Sequence, residues 1–170
     1  MMKQVRSLLI AALLFVGMSQ TVSAQAKVAH INVTELMTAM PEMKAANAQL
    51  EKLSQTYDTE YNTMVEEFRT KIKKYDEEAA TVGDAVNQTR QTEVQEMQQR
   101  IQQYQQTVTK ELQTKQEEIY KPILEKSKAA IQKVARAKGY QYVLDSSIGS
   151  GVIMADGPDL LADVKKELGF

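Results

Sequence analysis

The chain has 170 residues and a formal net charge of −1, with 21 basic side chains against 22 acidic ones. This balance argues against a polyanionic partner, so we expect no binding to nucleic acid. The absence of cysteine excludes a disulfide framework and a lipid-modified cysteine.

The first 24 residues have the pattern of a secretory signal peptide. Lys3 and Arg6 precede an uncharged apolar run over residues 7–17, and Val-Ser-Ala at residues 22–24 provides a small-residue cleavage site. The apolar run is well short of the roughly 20 residues that span a bilayer, which argues against a membrane anchor. We therefore expect residues 1–24 to be removed on export, leaving a soluble protein.

A short strand is predicted over residues 27–33. The apolar residues at positions 29, 31 and 33 alternate with Val, His and Asn at positions 28, 30 and 32, which suits a strand with one buried face. Thr34 then offers an N-cap for a short helix that ends before Pro41.

Residues 42–121 are predicted to form one long helix folded back on itself, since Gly83 is the only helix breaker between Pro41 and Pro122. Apolar residues of the outgoing half repeat every eleven residues, which suits a nearly straight helix. Those of the returning half mainly follow a heptad. The two halves can pair as an antiparallel arm about 60 Å long.

The tip of the arm, near residues 82–85, and the returning half are polar. Gly83 allows a left-handed residue at the reversal, and Asp84 offers an N-cap for the second helix. Residues 88–116 hold eleven glutamines, which favour helix without charge repulsion. Three lysines within residues 71–74 are offset by nearby acidic residues. We therefore expect at most a weak contact with a membrane surface or lipopolysaccharide.

The apolar stripe of the arm contains tyrosine and methionine where coiled coils normally use leucine and isoleucine. Such residues most often only pack. They also suit adaptable contacts, because methionine is flexible and tyrosine combines an apolar ring with a hydroxyl. We therefore interpret the stripe as a partly exposed binding surface. Its candidate residues are Tyr57, Tyr61, Met64, Phe68, Ile72, Tyr75, Met97, Ile101 and Tyr104.

The residues after the arm predict further helix and strand. A helical stripe continues beyond Pro122, where we expect a kink or joint. Residues 140–145 and 151–155 are short and β-prone with a Gly-containing loop between them, which predicts a hairpin. Residues 159–168 predict a final amphipathic helix. The hairpin and the N-terminal strand would form one small sheet.

Enzymatic machinery is missing from the sequence. It has no phosphate-binding Gly-Lys-Ser/Thr loop, and one imidazole, His30, cannot define a metal site. His30 is more simply a satisfied hydrogen-bond partner at the sheet. Adjacent acidic pairs such as Glu66 and Glu67 diverge by about 100° around a helix and indicate solvated faces rather than an acid/base dyad. We expect no enzyme activity, no cofactor and no metal.

The base, residues 25–41 and 122–170, is close to the size at which a lone hydrophobic core is marginal. It has no disulfide and no evident metal to support it. Oligomerisation is therefore the expected remedy.

Four stretches carry a family resemblance: VAHINV at residues 28–33, YKPI at 120–123, KGYQYVLD at 138–145 and GVIMAD at 151–156. Together with the long hairpin, they resemble the Skp/OmpH family of periplasmic chaperones. The resemblance covers essentially the whole chain after the signal peptide.

The resemblance implies an α+β fold in which a long antiparallel helical hairpin, a coiled-coil tentacle, stands on a small β-rich body. It implies a periplasmic homotrimer that, without ATP, holds unfolded outer-membrane β-barrel proteins between its arms and prevents their aggregation. The residues expected in the trimerisation body are Val28, Ile31, Val33, Tyr142, Val143, Leu144, Val152, Ile153 and Met154.

The alternative interpretation is a structural coiled-coil spacer or adaptor of the cell envelope. A spacer would bury its seam residues and bind a fixed partner at the Gly83 tip. A chaperone would keep the seam aromatics reachable and bind diverse clients.

Overall fold

The computed structural model describes residues 26–170, so the signal-peptide prediction for residues 1–24 lies outside the described residues. The fold is mostly helical with a small strand portion. Its elements in chain order are β1 (Val28–Ile31), α1 (Val33–Ala39), α2 (Pro41–Glu78), α3 (Asp84–Ala137), β2 (Tyr142–Asp145) and α4 (Leu161–Leu168). No helix in this part of the chain combines the length and the apolar character needed to cross a membrane.

The helices α2 and α3 pack side by side in opposite directions, as the spacing of their apolar residues predicts. Residues 79–83 form the reversal, and Gly83 has the expected positive φ of 73°. Gly83 itself is the N-cap of α3 and makes no side-chain cap, so the prediction that Asp84 is the cap is wrong by one residue. Asp84 is instead the first residue of the helix, where its negative charge interacts favourably with the positive end of the helix dipole.

The helix α3 runs from the tip of the arm into the base. Pro122 lies inside it and does not divide it into two helices, so the helix has no break there, and the predicted kink stays a prediction. Proline removes one backbone hydrogen bond. The helix on either side keeps its apolar contacts, and Ile123, directly after the proline, is buried.

The sheet differs from the predicted hairpin. β1 and β2 pair in parallel, with Val28 opposite Tyr142 and Ile31 opposite Asp145. Residues 151–155 form no strand, so the predicted third strand is wrong for this structure. The other edge of β1 is occupied instead by residues 158–160, through backbone hydrogen bonds of 3.0 Å in both directions with His30.

The strand β1 ends earlier than predicted because Asn32 starts α1. The side chain of Asn32 accepts a hydrogen bond from the backbone N–H of Glu35 at 2.9 Å, so Asn32 and not Thr34 is the N-cap. The backbone N–H of Thr34 donates to the Ser147 hydroxyl at 3.0 Å. Side chains from the loop after β2 thus satisfy the free amides that open the short helix.

Two small hydrophobic clusters hold the base together. The first joins β1 and α1 to the end of α3 and to α4, and its buried members are Ala29, Ile31, Leu36, Ala130, Val134, Ala135, Leu160 and Val164. The second lies where the arm begins and contains Met37, Met40, Ala46 and Ile123. Several of these side chains are alanine, so the core offers little apolar area for its residue count.

Replacing Val164 with Ala should lower the free energy of unfolding by about 2 kcal/mol, because the side chain is fully buried and its loss leaves a cavity. Urea denaturation followed by circular dichroism measures the change. The matched control is Val86→Ala near the tip, where the side chain is 45% exposed and the expected loss is under about 0.5 kcal/mol. Equal losses in the two variants would contradict the described core.

Candidate functional site

The predicted stripe residues all lie in the seam between α2 and α3, and every one of them is half-buried. The reason is geometric, since each helix of a two-helix arm has one neighbour and the rims of the seam stay open to water. Met64, Met97 and Ile101 line one small cavity between the helices. Ile72 and Tyr75 line another nearer the tip.

Tyrosine hydroxyls link the two helices along the rims of this seam. The Tyr57 hydroxyl donates to the Glu111 carboxylate at 2.7 Å, and the Tyr104 hydroxyl donates to Glu60 at 2.6 Å. Burial and the Glu60 carboxylate raise the pKa of Tyr104 to about 12. Each tyrosine therefore places its ring in the apolar seam and its neutral hydroxyl at the wet edge.

The glutamate partners of these tyrosines are not among the residues predicted from sequence. Each pair joins residues more than forty positions apart, 54 for the link to Glu111 and 44 for the link to Glu60. Nothing local marks such partners. The register of the hairpin, counted outward from Gly83, is the signal that could have identified them.

An ion cluster near the tip adds a third link. Glu93 on α3 accepts hydrogen bonds from Lys71 and Tyr75 on α2, and these bonds, that of Lys71 first, lower the pKa of the Glu93 carboxyl. Arg90 pairs with Glu78, and its guanidinium carbon lies 4.5 Å from the centre of the Tyr75 ring in a cation–π contact. The basic residues of the tip are thus partly neutralised by local partners, as the sequence indicated.

Apolar side chains that the fold leaves uncovered concentrate on the base. Tyr142 and Leu144 are 60% and 46% exposed on the outward face of β2, and Val28 lies opposite Tyr142. Ile153 and Met154 protrude from the segment after β2 and are 102% and 74% exposed. Uncovered apolar surface of this kind marks interaction sites.

The remaining residues predicted for the trimerisation body are less accessible. Val33, Val143 and Val152 are half-buried, and Ile31 is 1% exposed inside the core of its own chain. Ile148, which was not predicted as a site residue, is fully exposed in the loop after β2. The isolated apolar residue between Ser147 and Gly149 was the available signal.

His30 is a satisfied partner in the sheet region, as predicted. Its Nε2 lies 3.0 Å from the Gly157 carbonyl oxygen and its Nδ1 lies 3.2 Å from the Ser146 hydroxyl. Among residues 26–170, no group of three or more His, Cys, Asp or Glu side chains is placed to hold a metal ion.

The arm, the small sheet and the C-terminal helix match a known family. The sequence model of the OmpH-like outer membrane proteins covers residues 27–168. The chain belongs to this OmpH-like family. That match spans the base and the arm together, so the family accounts for both parts of the structure.

Curated relatives of this OmpH-like protein include the Chaperone protein Skp of Yersinia pestis, which is 33% identical over 151 residues, 88% of this chain and 90% of the relative. The Skp chaperone of Yersinia enterocolitica is 26% identical over 162 residues, 94% and 97% of the two chains. A crystal structure described as an OmpH-like outer membrane chaperone from Caulobacter crescentus CB15 has a TM-score of 0.76, with 18% identity and coverage of 85% of this chain and 84% of that one. At that identity the likeness concerns the fold.

The lowered pKa of Glu93 makes the tip of the arm sensitive to acid. A carboxyl whose pKa is depressed in the folded state adds stability above its unfolded pKa, near 4.5, and that stability is lost as the pH falls through the folded pKa. Amide protection factors near the tip should therefore fall in acid, measured by hydrogen exchange from pH 7 to pH 3. Glu93→Gln should lower protection at neutral pH and flatten this dependence.

The control for Glu93 is Glu96→Gln, which changes an exposed carboxylate on the same helix that forms no ion pair within the described residues. Glu96→Gln should keep the wild-type dependence on pH. If Glu93→Gln and Glu96→Gln behave alike, Glu93 is not the group responsible.

Proposed function

We propose that this protein is a periplasmic chaperone that holds unfolded outer-membrane β-barrel proteins without ATP. Membership in the OmpH-like family and the similarity to Skp chaperones support the chaperone class. The observation that carries the proposal is the composition and partial burial of the arm stripe. The stripe is rich in tyrosine and methionine, and each of its nine residues is half-buried, neither fully buried nor fully exposed.

We further propose that clients bind the stripe when the two helices of the arm separate transiently. In the closed arm, Val86 is the most exposed large apolar side chain of residues 42–121 and is only 45% exposed, so strong contact requires some opening. Each stripe residue then gains part of the roughly 1.5 to 3 kcal/mol available to a fully buried side chain. Many such weak contacts keep a client protected from aggregation yet mobile.

The chaperone proposal includes a homotrimer joined through the base. Within residues 26–170, β2 pairs with β1 on one edge only, which leaves backbone groups free on its other edge, and the β-prone residues 151–155 pair with no strand. Free strand edges favour pairing with another chain. The exposed apolar residues around β2 would be covered in the same contact.

The alternative of an envelope spacer is favoured by one feature, the Tyr–Glu links that hold the arm closed. A rigid closed arm suits a spacer, whereas the two helices of a chaperone arm must be able to separate. A weak contact with a membrane surface or lipopolysaccharide remains a separate proposal to which we assign no residues.

The first test is suppression of aggregation when an unfolded β-barrel membrane protein is diluted from urea, followed by light scattering. The chain without residues 1–24 should suppress scattering at one trimer per client. A variant with cysteines at Met64 and Ile101, which line one cavity, is designed to lock the arm through a disulfide, and loss of free thiol verifies the bond; the sequence has no other cysteine. Its oxidised form should lose suppression, and its reduced form should retain it.

The single-cysteine variants at Met64 and Ile101 control for the substitutions and should remain active under both conditions. Suppression by the locked arm would contradict helix separation. No suppression by the wild-type chain would contradict the chaperone proposal and favour the spacer.

The second test is the mass of the assembly, measured by sedimentation equilibrium. The wild-type chain should sediment as three copies, and the double variant Ile153→Asp with Met154→Asp should dissociate, because charge cannot be buried cheaply in an apolar contact. The matched control, Val86→Asp at the tip, should remain trimeric. A monomeric wild-type chain would contradict the proposed body.

A further inference from the structure

The returning helix carries a broad uncharged surface that the function proposed above does not use. All eleven glutamines of residues 88–116 are exposed. At about 100° per residue they fall within an arc of roughly 160° around α3, mainly on the side away from the seam, and Gln91 also lines the cavity near the tip. Between residues 88 and 109 this arc contains only glutamine and threonine. We name this surface the amide face.

The charged side chains of the same stretch avoid the amide face. Glu93, Glu96 and Arg100 lie together on one flank of α3, where Glu93 reaches α2. Within the described residues, the side-chain links between the two helices use tyrosines, ion pairs and Asn87, and none of them involves these glutamines. Their carboxamides are therefore free to make contacts outside the arm.

The outward face of α2 provides a contrast within the same arm. It bears Glu66 paired with Arg69 and Lys73 paired with Glu77, all strongly exposed. Charged pairs give an ordinary solvated helix surface. The arm thus has one charged outer face and one neutral outer face, although both helices need the same solubility.

We propose that the amide face binds the backbone of an extended, unfolded polypeptide. This inference rests on the proposed chaperone function and specifies how a client is recognised. A carboxamide offers two N–H donors and one carbonyl acceptor, which match the unpaired groups of a peptide backbone. A neutral face of this kind carries no charge that would repel acidic or basic clients.

The dimensions suit such a client. Residues 88–109 extend over about 32 Å of helix, which equals the length of roughly ten residues in an extended chain. Gln105 lies at the border between the amide face and the seam side, where Ile101 is half-buried. A client lying along this border could direct alternate side chains toward the seam while its backbone contacts glutamines.

Each contact should be weak, because a hydrogen bond gains only about 0.5 to 1.5 kcal/mol net of the water it replaces. Several together would raise affinity without selecting sequence. Backbone recognition would therefore broaden the range of clients, while the stripe supplies contact with apolar side chains.

The test compares two variants of the chain without residues 1–24. In the first, Gln95, Gln98, Gln102 and Gln105 are replaced by Ala, which removes carboxamides, keeps the net charge and favours helix. In the second, the matched control, Glu66, Arg69, Lys73 and Glu77 on α2 are replaced by Ala, which also keeps the net charge. Circular dichroism checks that the helix content of both is retained.

The probe is a ten-residue peptide of alternating apolar and polar residues, together with the same peptide N-methylated at alternate backbone nitrogens. The wild-type chain and the α2 variant should bind the unmethylated peptide about tenfold more tightly than the methylated one, as expected for a few lost hydrogen bonds. The glutamine variant should bind the unmethylated peptide about tenfold more weakly and respond little to methylation.

Equal weakening by methylation in all three proteins would overturn the backbone proposal, as would unchanged binding by the glutamine variant. The proposed function is measured separately, by suppression of β-barrel aggregation by the wild-type chain. Suppression with no effect of the glutamines overturns this inference alone, whereas no suppression and no peptide binding overturns both. A change of sedimenting mass in the glutamine variant would identify the face as a contact between copies and also overturn the inference.

Discussion

The structure of the arm depends on one constraint, which is that within residues 42–121 each long helix packs against only one other helix of the described chain. A side chain in such a seam is covered from one side only, so the stripe residues stay half-buried while Leu36 and Val164 in the base are fully buried. The arm therefore gains less free energy per apolar residue than a bundle of three or four helices does. Stability must come partly from links at the rims.

Tyrosine stabilises such a seam better than leucine would. Its ring fills the seam and its hydroxyl reaches a carboxylate of the facing helix, as in the pairs of Tyr57 with Glu111 and Tyr104 with Glu60. A tyrosine hydroxyl with an ordinary pKa of about 10 already donates at neutral pH. The hydrogen bond to Glu111 raises the pKa of Tyr57, and burial together with Glu60 raises the pKa of Tyr104, so both hydroxyls remain donors at more alkaline pH. Because these bonds lie at the solvent edge, water can replace them at small net cost. The two helices of an arm linked in this way are ordered and can still separate.

The features that could be predicted from sequence are those with a local signal. The spacing of apolar residues predicts both long helices and the seam between them, and Gly83 predicts the reversal. The strand pairing could not be predicted in this way, because β1 and β2 are separated by the entire arm and local β-propensity favours the nearer partner in a hairpin. The N-cap could not be assigned from sequence because Asn32 and Thr34 are both good caps. In the structure Asn32 accepts from the backbone N–H of Glu35, and the backbone N–H of Thr34 donates to Ser147 in the loop after β2.

The parallel pairing also limits how the base can associate. Both edges of β1 are occupied, by β2 on one side and residues 158–160 on the other, so β2 has the only free strand edge in the sheet described here. If residues 151–155 of one copy add to β2 of the next, the contact is head-to-tail and must close into a ring to leave no edge exposed. Closure by rotation would direct every arm to the same side of the base. Strand addition of this kind gives a ring of arms around a shared space where the rotation between copies closes, and an open filament where it does not.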